Sequence, residues 1–559
     1  DDNAAAILGV YLVETPKEDC HEEERRHRGF LLLQSSALEG NLEDHLRIQA
    51  FFELGHCYYY GIGTETNIEE AYTWYARAAE SGSEGAQYLA ASLILDKRCS
   101  ETDTAKAIAW LRQAAEQGCM YSTMRLGECY LEGNVVPKDA EEAFQWFQKS
   151  AELGNPAAVN MVGRCYMDGN GVEQDQEKAF QYFQKASEAG DESAMFNLAD
   201  CYFNGLGTEQ SEEQAVPWYQ KAAEANISIA QYMLGTCYHF GKGVSPNEEL
   251  ALHWLRKAAE QDYVGAQYAL GTLLFRNEDS GENDAEAVRW LERAAELGDI
   301  GSQVKLGVCY QDGYNVLEQG KVCFKEDMEK AVELFQNAAE QGDAEGQFQL
   351  ANSYRFGLGV KKNVPKMLYW LRLSAMQGYA EAQYALGICY QDGIGVKADM
   401  EKAMDWYERS AAQNYPDAIC SVGMYYLDEE DDVETAKRLV YKAAQMDCPE
   451  AQYLMGMFLY EGDDSEEDEE AVAWFRMAAR YQNHGGAMGM LGYCYMNGTG
   501  VEQDDEMARV WLKRAAECRD YDAIELLKNY YMIDDYDDFE YEDYGDEPEY
   551  DDEDDDWED

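Results

Sequence analysis

Few residues of this sequence have the types and spacings that catalysis or metal binding would need. The chain has only seven histidines, and no serine–histidine–aspartate or cysteine–histidine set can be placed by a motif. It has no H-E-x-x-H helix, no P-loop and no dinucleotide-binding fingerprint. We therefore expect a protein that is not an enzyme and that holds neither a cofactor nor a metal. An enzyme built on a helical scaffold is the least favoured alternative.

Two glycine-rich loops superficially resemble calcium-binding loops, D-G-N-G-V-E-Q-D at 168–175 and D-G-I-G-V-K-A-D at 392–399. Both lack the spaced side-chain ligands and the terminal glutamate of an EF-hand loop. Each loop lies between two predicted helices, so we interpret its glycines as turn residues.

The fifteen cysteines matter more for their positions than for their number. Equivalent positions on stacked helices lie about 8–10 Å apart, which is too far for a disulfide with its Cα separation of about 5.5–6 Å. We expect small buried thiols in a reducing compartment, and hence a cytoplasmic protein. A removed signal peptide would leave no trace in a sequence that begins at Asp1. Eight cysteines share one position of a repeat, namely Cys57, Cys129, Cys165, Cys201, Cys237, Cys309, Cys389 and Cys494.

That spacing reflects an internal repeat of about 36 residues, seen in the echoes AQYMLG (230–235), AQYALG (266–271) and AQYLMG (451–456). A second position of the repeat holds only glycine, asparagine or aspartate, the residues that best tolerate a left-handed backbone. A helix that ends in a left-handed residue needs this choice, so the pattern predicts a helix end in every repeat. The position is held by Gly82, Gly118, Gly154, Gly190, Asn226, Asp262, Gly298, Gly342, Gly378, Asn414, Asp447, Asn483 and Asp520.

Each repeat is predicted to contain two helices. If the alanine of A-Q-Y-x-L-G-x-C-Y is position 0, the apolar residues at 0, +4, +7 and +8 form one stripe on the first helix. A G-x-G loop follows, and the second helix has the pattern E-x-A-x-x-W-Y-x-K-A-A-E. Neither helix can bury its stripe alone, so the repeats must stack.

The repeat resembles the Sel-one-like repeat family, a relative of tetratricopeptide repeats. The matching features are the first helix, the G-x-G-V loop (241–244, 357–360 and 393–396) and the W-Y-x-K-A-A-E-x-G second helix. The resemblance covers residues 48–520 and implies a superhelical scaffold for protein complexes. Some secreted relatives carry a cysteine pair in each repeat, whereas this chain usually has one, which weakens a secreted role.

We therefore expect an all-α, right-handed α–α superhelical solenoid of about fourteen repeats. Residues 1–47 form an N-terminal repeat with a widened loop, and residues 48–520 form thirteen further repeats. Residues 521–532 form a capping helix. Residues 533–559 form a disordered acidic tail, in which eighteen acidic residues follow position 533. The tail could solubilise the chain, dock a basic protein or plug a groove.

The net charge of −64 limits the choice of partners. It opposes nucleic-acid binding, which needs lysine and arginine at phosphates, and it opposes binding to anionic membranes. No apolar run approaches the roughly 20 residues that span a bilayer. The expected partner of this monomer is another protein or peptide, neutral to basic. An acidic charge mimic, such as an immunity-type protein that sequesters a basic partner, is the main alternative to a scaffold or adaptor.

Positions +2 and +9 of the first helix lie opposite the buried stripe. On a tetratricopeptide-like solenoid they would point into the concave groove, where an aromatic ladder could hold a peptide. The alternative is that these side chains pack against neighbouring helices. The candidate partner-binding residues are Phe52, Tyr59, Tyr88, Leu95, Phe196, Phe203, Tyr232, His239, Tyr268 and Phe275.

Overall fold

The computed structural model describes residues 2–14, 22–39, 42–275, 281–312, 327–428, 432–460, 465–480 and 484–531. The predicted acidic tail, residues 533–559, lies outside the described residues. Regular structure in the described ranges consists of 29 α-helices. These form fourteen helix pairs and one final helix, which confirms the predicted all-α helical-repeat solenoid. The chain divides into two compact units, Asp1–Leu270 and Gly271–Asp559.

The first helix of each pair carries the A-Q-Y pattern, and the second carries the W-Y pattern. The first helices are α1 (Asp2–Glu14), α3 (Asp44–Tyr60), α5 (Glu84–Leu95), α7 (Met120–Glu132), α9 (Pro156–Asp168), α11 (Glu192–Asn204), α13 (Ser228–Phe240), α15 (Val264–Phe275), α17 (Ile300–Asp312), α19 (Ala344–Phe356), α21 (Ala380–Asp392), α23 (Pro416–Asp428), α25 (Pro449–Tyr460) and α27 (Gly485–Asn497).

The second helices follow the loops and precede the left-handed position. They are α2 (Glu22–Glu39), α4 (Ile68–Glu80), α6 (Thr104–Glu116), α8 (Ala140–Glu152), α10 (Gln176–Glu188), α12 (Glu212–Glu224), α14 (Glu248–Glu260), α16 (Gly281–Glu296), α18 (Met328–Glu340), α20 (Val364–Met376), α22 (Met400–Ala412), α24 (Val433–Ala444), α26 (Ser465–Ala478) and α28 (Asp505–Glu517). The final helix is α29 (Tyr521–Asn529).

The left-handed position ends the second helices as the sequence predicts. Gly82 has φ +93°, its N–H donates to the carbonyl of Ala79 (3.0 Å), and the N–H of Ser83 donates to that of Ala78 (3.1 Å). These bonds satisfy carbonyls at the helix end. The prediction for Asp520 is wrong, because Arg519 takes the left-handed conformation (φ 61°). Asp520 instead caps α29, where its carboxylate accepts a hydrogen bond from the N–H of Ala523 (2.8 Å). Asn483 lies outside the described residues.

The second glycine of the G-x-G loop touches the preceding repeat. Gly171 has φ +72°, and a Cβ there would lie 1.9 Å from the carbonyl oxygen of Ala140, at the start of α8. The equivalent Cβ on Gly207 would lie 2.0 Å from the carbonyl oxygen of Gln176, at the start of α10. These glycines therefore serve backbone packing between repeats. For Gly171, which lies in the first of the two calcium-like loops, this packing agrees with the turn interpretation.

In the first helices after α1, the apolar stripe packs against the second helix of the preceding repeat. In α13, Ala230, Leu234 and Cys237 are at most 1% exposed, and they pack in one cluster with Tyr219 and Ala222 of α12. Position +5 brings the first helix close to its own second helix. A Cβ on Gly127, for example, would lie 2.5 Å from the ring of Phe147. Small residues at this position thus set the spacing within a pair.

A buried glutamine at position +1 connects successive repeats. The amide nitrogen of Gln231 donates to the carbonyl of Ala223 (3.1 Å), and its oxygen accepts from the amide of Gln261 in the next second helix (2.7 Å). The same glutamine pair recurs in both units. Further pairs are Gln87 with Gln117, Gln303 with Gln341, Gln347 with Gln377 and Gln383 with Gln413.

Two of the repeats without this glutamine have apolar residues at both positions. Val159 and Met195 occupy position +1, and the residues thirty positions later are Ala189 and Ala225. The pairing is not kept in every repeat, because Gln267 stands thirty residues before Leu297, and its buried amide oxygen has no hydrogen-bond partner among the described residues.

We predict that Gln231→Leu lowers the free energy of unfolding by about 1–2 kcal/mol, because a buried carbonyl and Gln261 lose their partner. The double variant Gln231→Leu/Gln261→Leu should lose less than the sum of the two single variants. Urea unfolding followed by circular dichroism measures both effects. The control is Gln220→Leu on exposed α12 surface, which should change stability little. Simple additivity of the two single variants would show that the pair is not coupled.

Candidate functional site

The first helices form one side of each stack and contact one another directly. In the first unit, the side-chain amide of Asn197 on α11 donates to that of Asn160 on α9 (2.8 Å). The backbones of successive second helices approach less closely in the part of the chain that the structure describes, although Lys106 on α6 forms an ion pair with Glu80 on α4 (3.6 Å). The first unit therefore curves locally toward its first helices. We call the side formed by these helices, α3 to α13, the inner face.

Four of the predicted residues pack against the tyrosine of their own repeat's second helix. The rings of Phe52 and Tyr59 lie 6.0 and 6.5 Å from that of Tyr75. Those of Phe196 and Phe203 lie 5.9 and 6.0 Å from the ring of Tyr219. All four are half-buried. They combine the two interpretations that the sequence left open, since each ring is partly packed and partly accessible.

Cations from the following repeat cover two of these rings. The guanidinium of Arg98 lies 5.0 Å from the ring centre of Tyr59 and donates to its hydroxyl. The ammonium of Lys242 lies 5.4 Å from the ring centre of Phe203. A partner that used these two ring faces would first have to displace the protein's own cations.

The next predicted residues are also half-buried. The ring of Tyr88 lies 5.8 Å from that of Tyr121, and burial raises the pKa of Tyr88. Leu95 packs on the same core cluster as Tyr88. The ring of Tyr232 lies 5.2 Å from that of Tyr263 in the next repeat.

The last predicted residues differ in environment. His239 is half-buried and stacks near Phe240, with ring centres 4.5 Å apart. Tyr268 is 37% exposed. Phe275 belongs to the second unit, where it packs against the cluster that contains Leu291 and Phe335. Phe275 is therefore set apart from the other nine residues, which lie in the first unit.

Sequence reasoning missed the most exposed aromatic side chains of the inner face. Tyr60, Tyr121 and Phe240 are 62%, 54% and 63% exposed. They occupy positions +10, −1 and +10, at about 260–280° on the helical wheel, next to the chosen positions at 180–200°. The sequence did contain a signal for position +10, because this position directly follows the chosen position +9. Tyr59 and Tyr60 form an edge-on pair with ring centres 4.8 Å apart.

Position +10 forms a row along the first unit, at the C-terminal ends of its first helices. Aromatic residues stand at the two ends of this row, and three acidic residues and one asparagine stand between them. We call it the inner row, made of Tyr60, Asp96, Glu132, Asp168, Asn204 and Phe240. Asp96 forms an ion pair with Arg125. The row can bind cations at its centre and apolar groups at its ends.

The thiols of the repeat are poor nucleophiles and poor ligands. Burial raises the pKa of Cys57 to about 12 and those of Cys165 and Cys237 to about 11. They are protonated and unreactive at neutral pH. Within the described ranges, no group of three or more histidine, cysteine, aspartate or glutamate side chains could hold a metal ion. No described helix is long and apolar enough to cross a membrane.

The helix pairs described above coincide with matches to the model of a known repeat family. The model of the Sel1 repeat matches residues 49–83, 86–119, 121–155, 156–191, 192–227, 228–263, 264–299, 300–343, 344–379, 380–415, 449–480 and 486–520. The chain belongs to the Sel1-repeat family. Two helix pairs of this Sel1-repeat chain, α1–α2 and α23–α24, lie outside these matches.

A solved structure shows the same fold. The chain is similar to c5321, a protective antigen present in uropathogenic Escherichia coli strains that displays an SLR fold, with 26% identity and a TM-score of 0.60. That similarity covers 89% of this chain and 97% of the antigen. A Sel1-repeat protein from Oxalobacter formigenes is 30% identical over 46% of this chain and 97% of that protein, with a TM-score of 0.40. No curated protein sequence matches.

The start of the array holds a carboxyl group with an altered pKa. Glu53 on α3 is only 8% exposed, and burial, followed by the nearby Glu14, raises its pKa to about 7. His56, one turn further along, has its pKa lowered by burial, and its Nδ1 lies 3.1 Å from the hydroxyl of Tyr75. The folded chain therefore favours protonated Glu53 and neutral His56.

We predict that Glu53 makes this Sel1-repeat chain less stable as pH rises. Because its folded pKa lies above the unfolded value of 4.5, its stabilising effect is complete below pH 4.5 and is lost as pH rises through about 7. Glu53→Gln mimics the protonated form. The stability of the natural chain relative to this variant should fall across that window, as measured by thermal unfolding at several pH values.

His56 acts in the opposite direction, because its lowered pKa removes stability as pH falls below 6.5. Both chains contain His56, so the comparison cancels its contribution. A difference between the two chains that stays constant from pH 4.5 to 7.5 would contradict a raised pKa for Glu53.

Proposed function

We propose that this Sel1-repeat chain is a non-enzymatic adaptor whose inner row binds an extended basic segment of another protein. The family and fold support protein–protein interaction. The inner row is the observation that carries the finer proposal, because it combines exposed rings at both ends with carboxylates between them. The free, protonated thiols also suit a reducing compartment, which we propose as its location.

The end rings of the inner row are open to a partner's cations. Among the described residues, no lysine or arginine covers Tyr60 or Phe240. By contrast, in the second unit the guanidinium of Arg355 lies 5.2 Å from the ring centre of Phe356 at the same position. A cation of the partner can therefore occupy ring faces that the chain leaves open.

The length of the inner row indicates the length of the bound segment. Five steps between repeats of about 8–10 Å each correspond to about 40–50 Å. An extended chain rises about 3.3 Å per residue, so about 12–15 residues would reach from Tyr60 to Phe240. Lysine or arginine in the middle and apolar residues near both ends would complement the row.

We predict that a labelled fourteen-residue peptide, with lysines in the middle and leucines near both ends, binds the chain at physiological salt. The double variant Tyr60→Ser/Phe240→Ser should weaken binding about tenfold, since it removes two aromatic anchors without changing the charge. Fluorescence anisotropy measures the affinity. Tyr369→Ser on α20 is the matched control, because Tyr369 is 58% exposed and lies in the second unit.

The central carboxylates need a separate comparison, because any cationic peptide is attracted to a chain with a net charge of −64. Glu132→Gln/Asp168→Asn should weaken binding more than Glu141→Gln/Glu177→Gln, which removes the same charge from exposed second helices. Equal losses in the two variants, or binding that disappears entirely at moderate salt, would favour the charge-mimic alternative over the inner row.

A further inference from the structure

Two positions that meet between successive repeats carry a pair of rings in several repeats. One is position +2 of a first helix, and the other directly precedes the next first helix, 31 residues later. The side chains at these two positions contact each other across the boundary between repeats. The ring pairs, with centres 5.0–5.5 Å apart, are Tyr232 with Tyr263, Phe348 with Tyr379, Tyr384 with Tyr415 and Tyr453 with His484.

The repeat formed by α23 and α24 has two cysteines at these positions. Asn414 and Asp447, the left-handed residues before and after this repeat, are 33 residues apart instead of 36. The partner of position +2 is therefore 28 residues further along instead of 31, which pairs Cys420 with Cys448. This repeat also departs from the Sel1 model, whose matches end at residue 415 and resume at 449. Unlike the eight cysteines at position +7, which occupy equivalent positions on stacked helices, these two occupy different positions that face each other.

The two thiols are in contact inside the protein. Cys420 and Cys448 are 3% and 2% exposed, and they pack in one cluster with Val440 of α24. A hydrogen bond to the thiol of Cys448, followed by burial, raises the pKa of Cys420. The thiol of Cys448 in turn donates to the carboxylate of Asp417, over 3.2 Å. The two sulfur atoms are therefore neighbours, and a carboxylate stands beside one of them.

We propose that Cys420 and Cys448 form a redox modification site, at which hydrogen peroxide converts the two thiols into a reversible disulfide. The Cys448 sulfur attacks a peroxide oxygen, so a sulfur–oxygen bond forms, the oxygen–oxygen bond breaks and one water leaves. The Cys420 sulfur then attacks the resulting sulfenic acid, which forms the sulfur–sulfur bond and releases a second water. The two thiols lose two electrons, the peroxide gains them, and both thiol protons end in water.

Asp417 selects Cys448 as the thiol that reacts first. A thiol becomes a nucleophile only when it gives up its proton. The carboxylate of Asp417 already accepts the hydrogen bond from Cys448, so it can take this proton during the attack and pass it to the departing oxygen. The raised pKa of Cys420 keeps that thiol protonated until the sulfenic acid forms beside it.

The disulfide would link α23 directly to the start of α25 and close a loop that contains α24. A cross-link of this kind restricts the separation of the two repeats that it joins. In the reducing compartment proposed above, small thiols such as glutathione would reduce the bond again once peroxide is removed. The site lies in the second unit, so it does not depend on the inner row or on the proposed peptide.

Mass spectrometry of the full chain after treatment with hydrogen peroxide tests the site. Trypsin should release residues 410–437 and 443–476, and each of these peptides contains a single cysteine, Cys420 in the first and Cys448 in the second. If remaining thiols are alkylated before digestion without reductant, the two peptides should be found joined, and dithiothreitol should separate them. Peptides in which both cysteines are alkylated, or in which each is oxidised separately to a sulfinic acid, would overturn the proposal.

Single variants test the order of the two steps. In Cys420→Ser the second thiol is missing, so Cys448 should accumulate as sulfenic acid, and its labelling by dimedone should rise at least about fivefold over the natural chain. Cys448→Ser should instead leave Cys420 as an unlabelled thiol. Cys389→Ser is the matched control, because Cys389 is 0% exposed in the same unit, and it should leave the joined peptides unchanged. Labelling of Cys420 without labelling of Cys448, or loss of the joined peptides in the control, would show that the assignment is wrong.

Discussion

The stripe at positions 0, +4 and +7 of a first helix can be buried only by another helix, and in this chain the preceding second helix does so. Ala230, Leu234 and Cys237 illustrate the result, since water reaches almost none of their surface. The small residue at +5 and the second loop glycine keep neighbouring backbones close enough for this contact. Burial of the stripe therefore determines the order of the helices, the loop chemistry and the requirement for a cover at each end of the array.

Much of this fold could be predicted from the sequence because steric limits on the backbone restrict which residues can occupy the positions that end the helices. Only a few residue types tolerate a left-handed backbone, so Gly82 and its equivalents identified the ends of the second helices. The same argument failed at Asp520, where two adjacent residues could each serve a different role. Aspartate is a better N-cap than arginine, and its use as the cap of α29 leaves Arg519 to adopt the strained conformation. The sequence shows that either residue could take the left-handed conformation, but it does not show the energy difference between the two arrangements.

The candidate site was harder to predict because exposure depends on neighbouring elements. A helical wheel gives the angle of Phe203, but it does not show that Tyr219 packs edge-on against the ring and that Lys242 lies over it. For the same reason, the wheel did not identify Tyr60 or Phe240. Their rings are 62% and 63% exposed, although the preceding +9 residues are half-buried. The curvature toward the first helices, which brings successive +10 residues into one row, is a tertiary property.

The distribution of cations explains why a basic partner would bind the inner face of this acidic chain in preference to its second helices. On the second helices, tryptophan and a cation three residues later are neighbours, as in Trp74 with Arg77 (4.5 Å) and Trp218 with Lys221 (3.8 Å). The chain's few cations thus cover its own large rings, and a partner's cation would find those faces occupied. Tyr60 and Phe240 lack such a cover among the described residues, and carboxylates lie between them. A basic segment therefore gains both ring contacts and charge pairing at the inner row, whereas the tryptophan faces of the second helices offer it only long-range attraction.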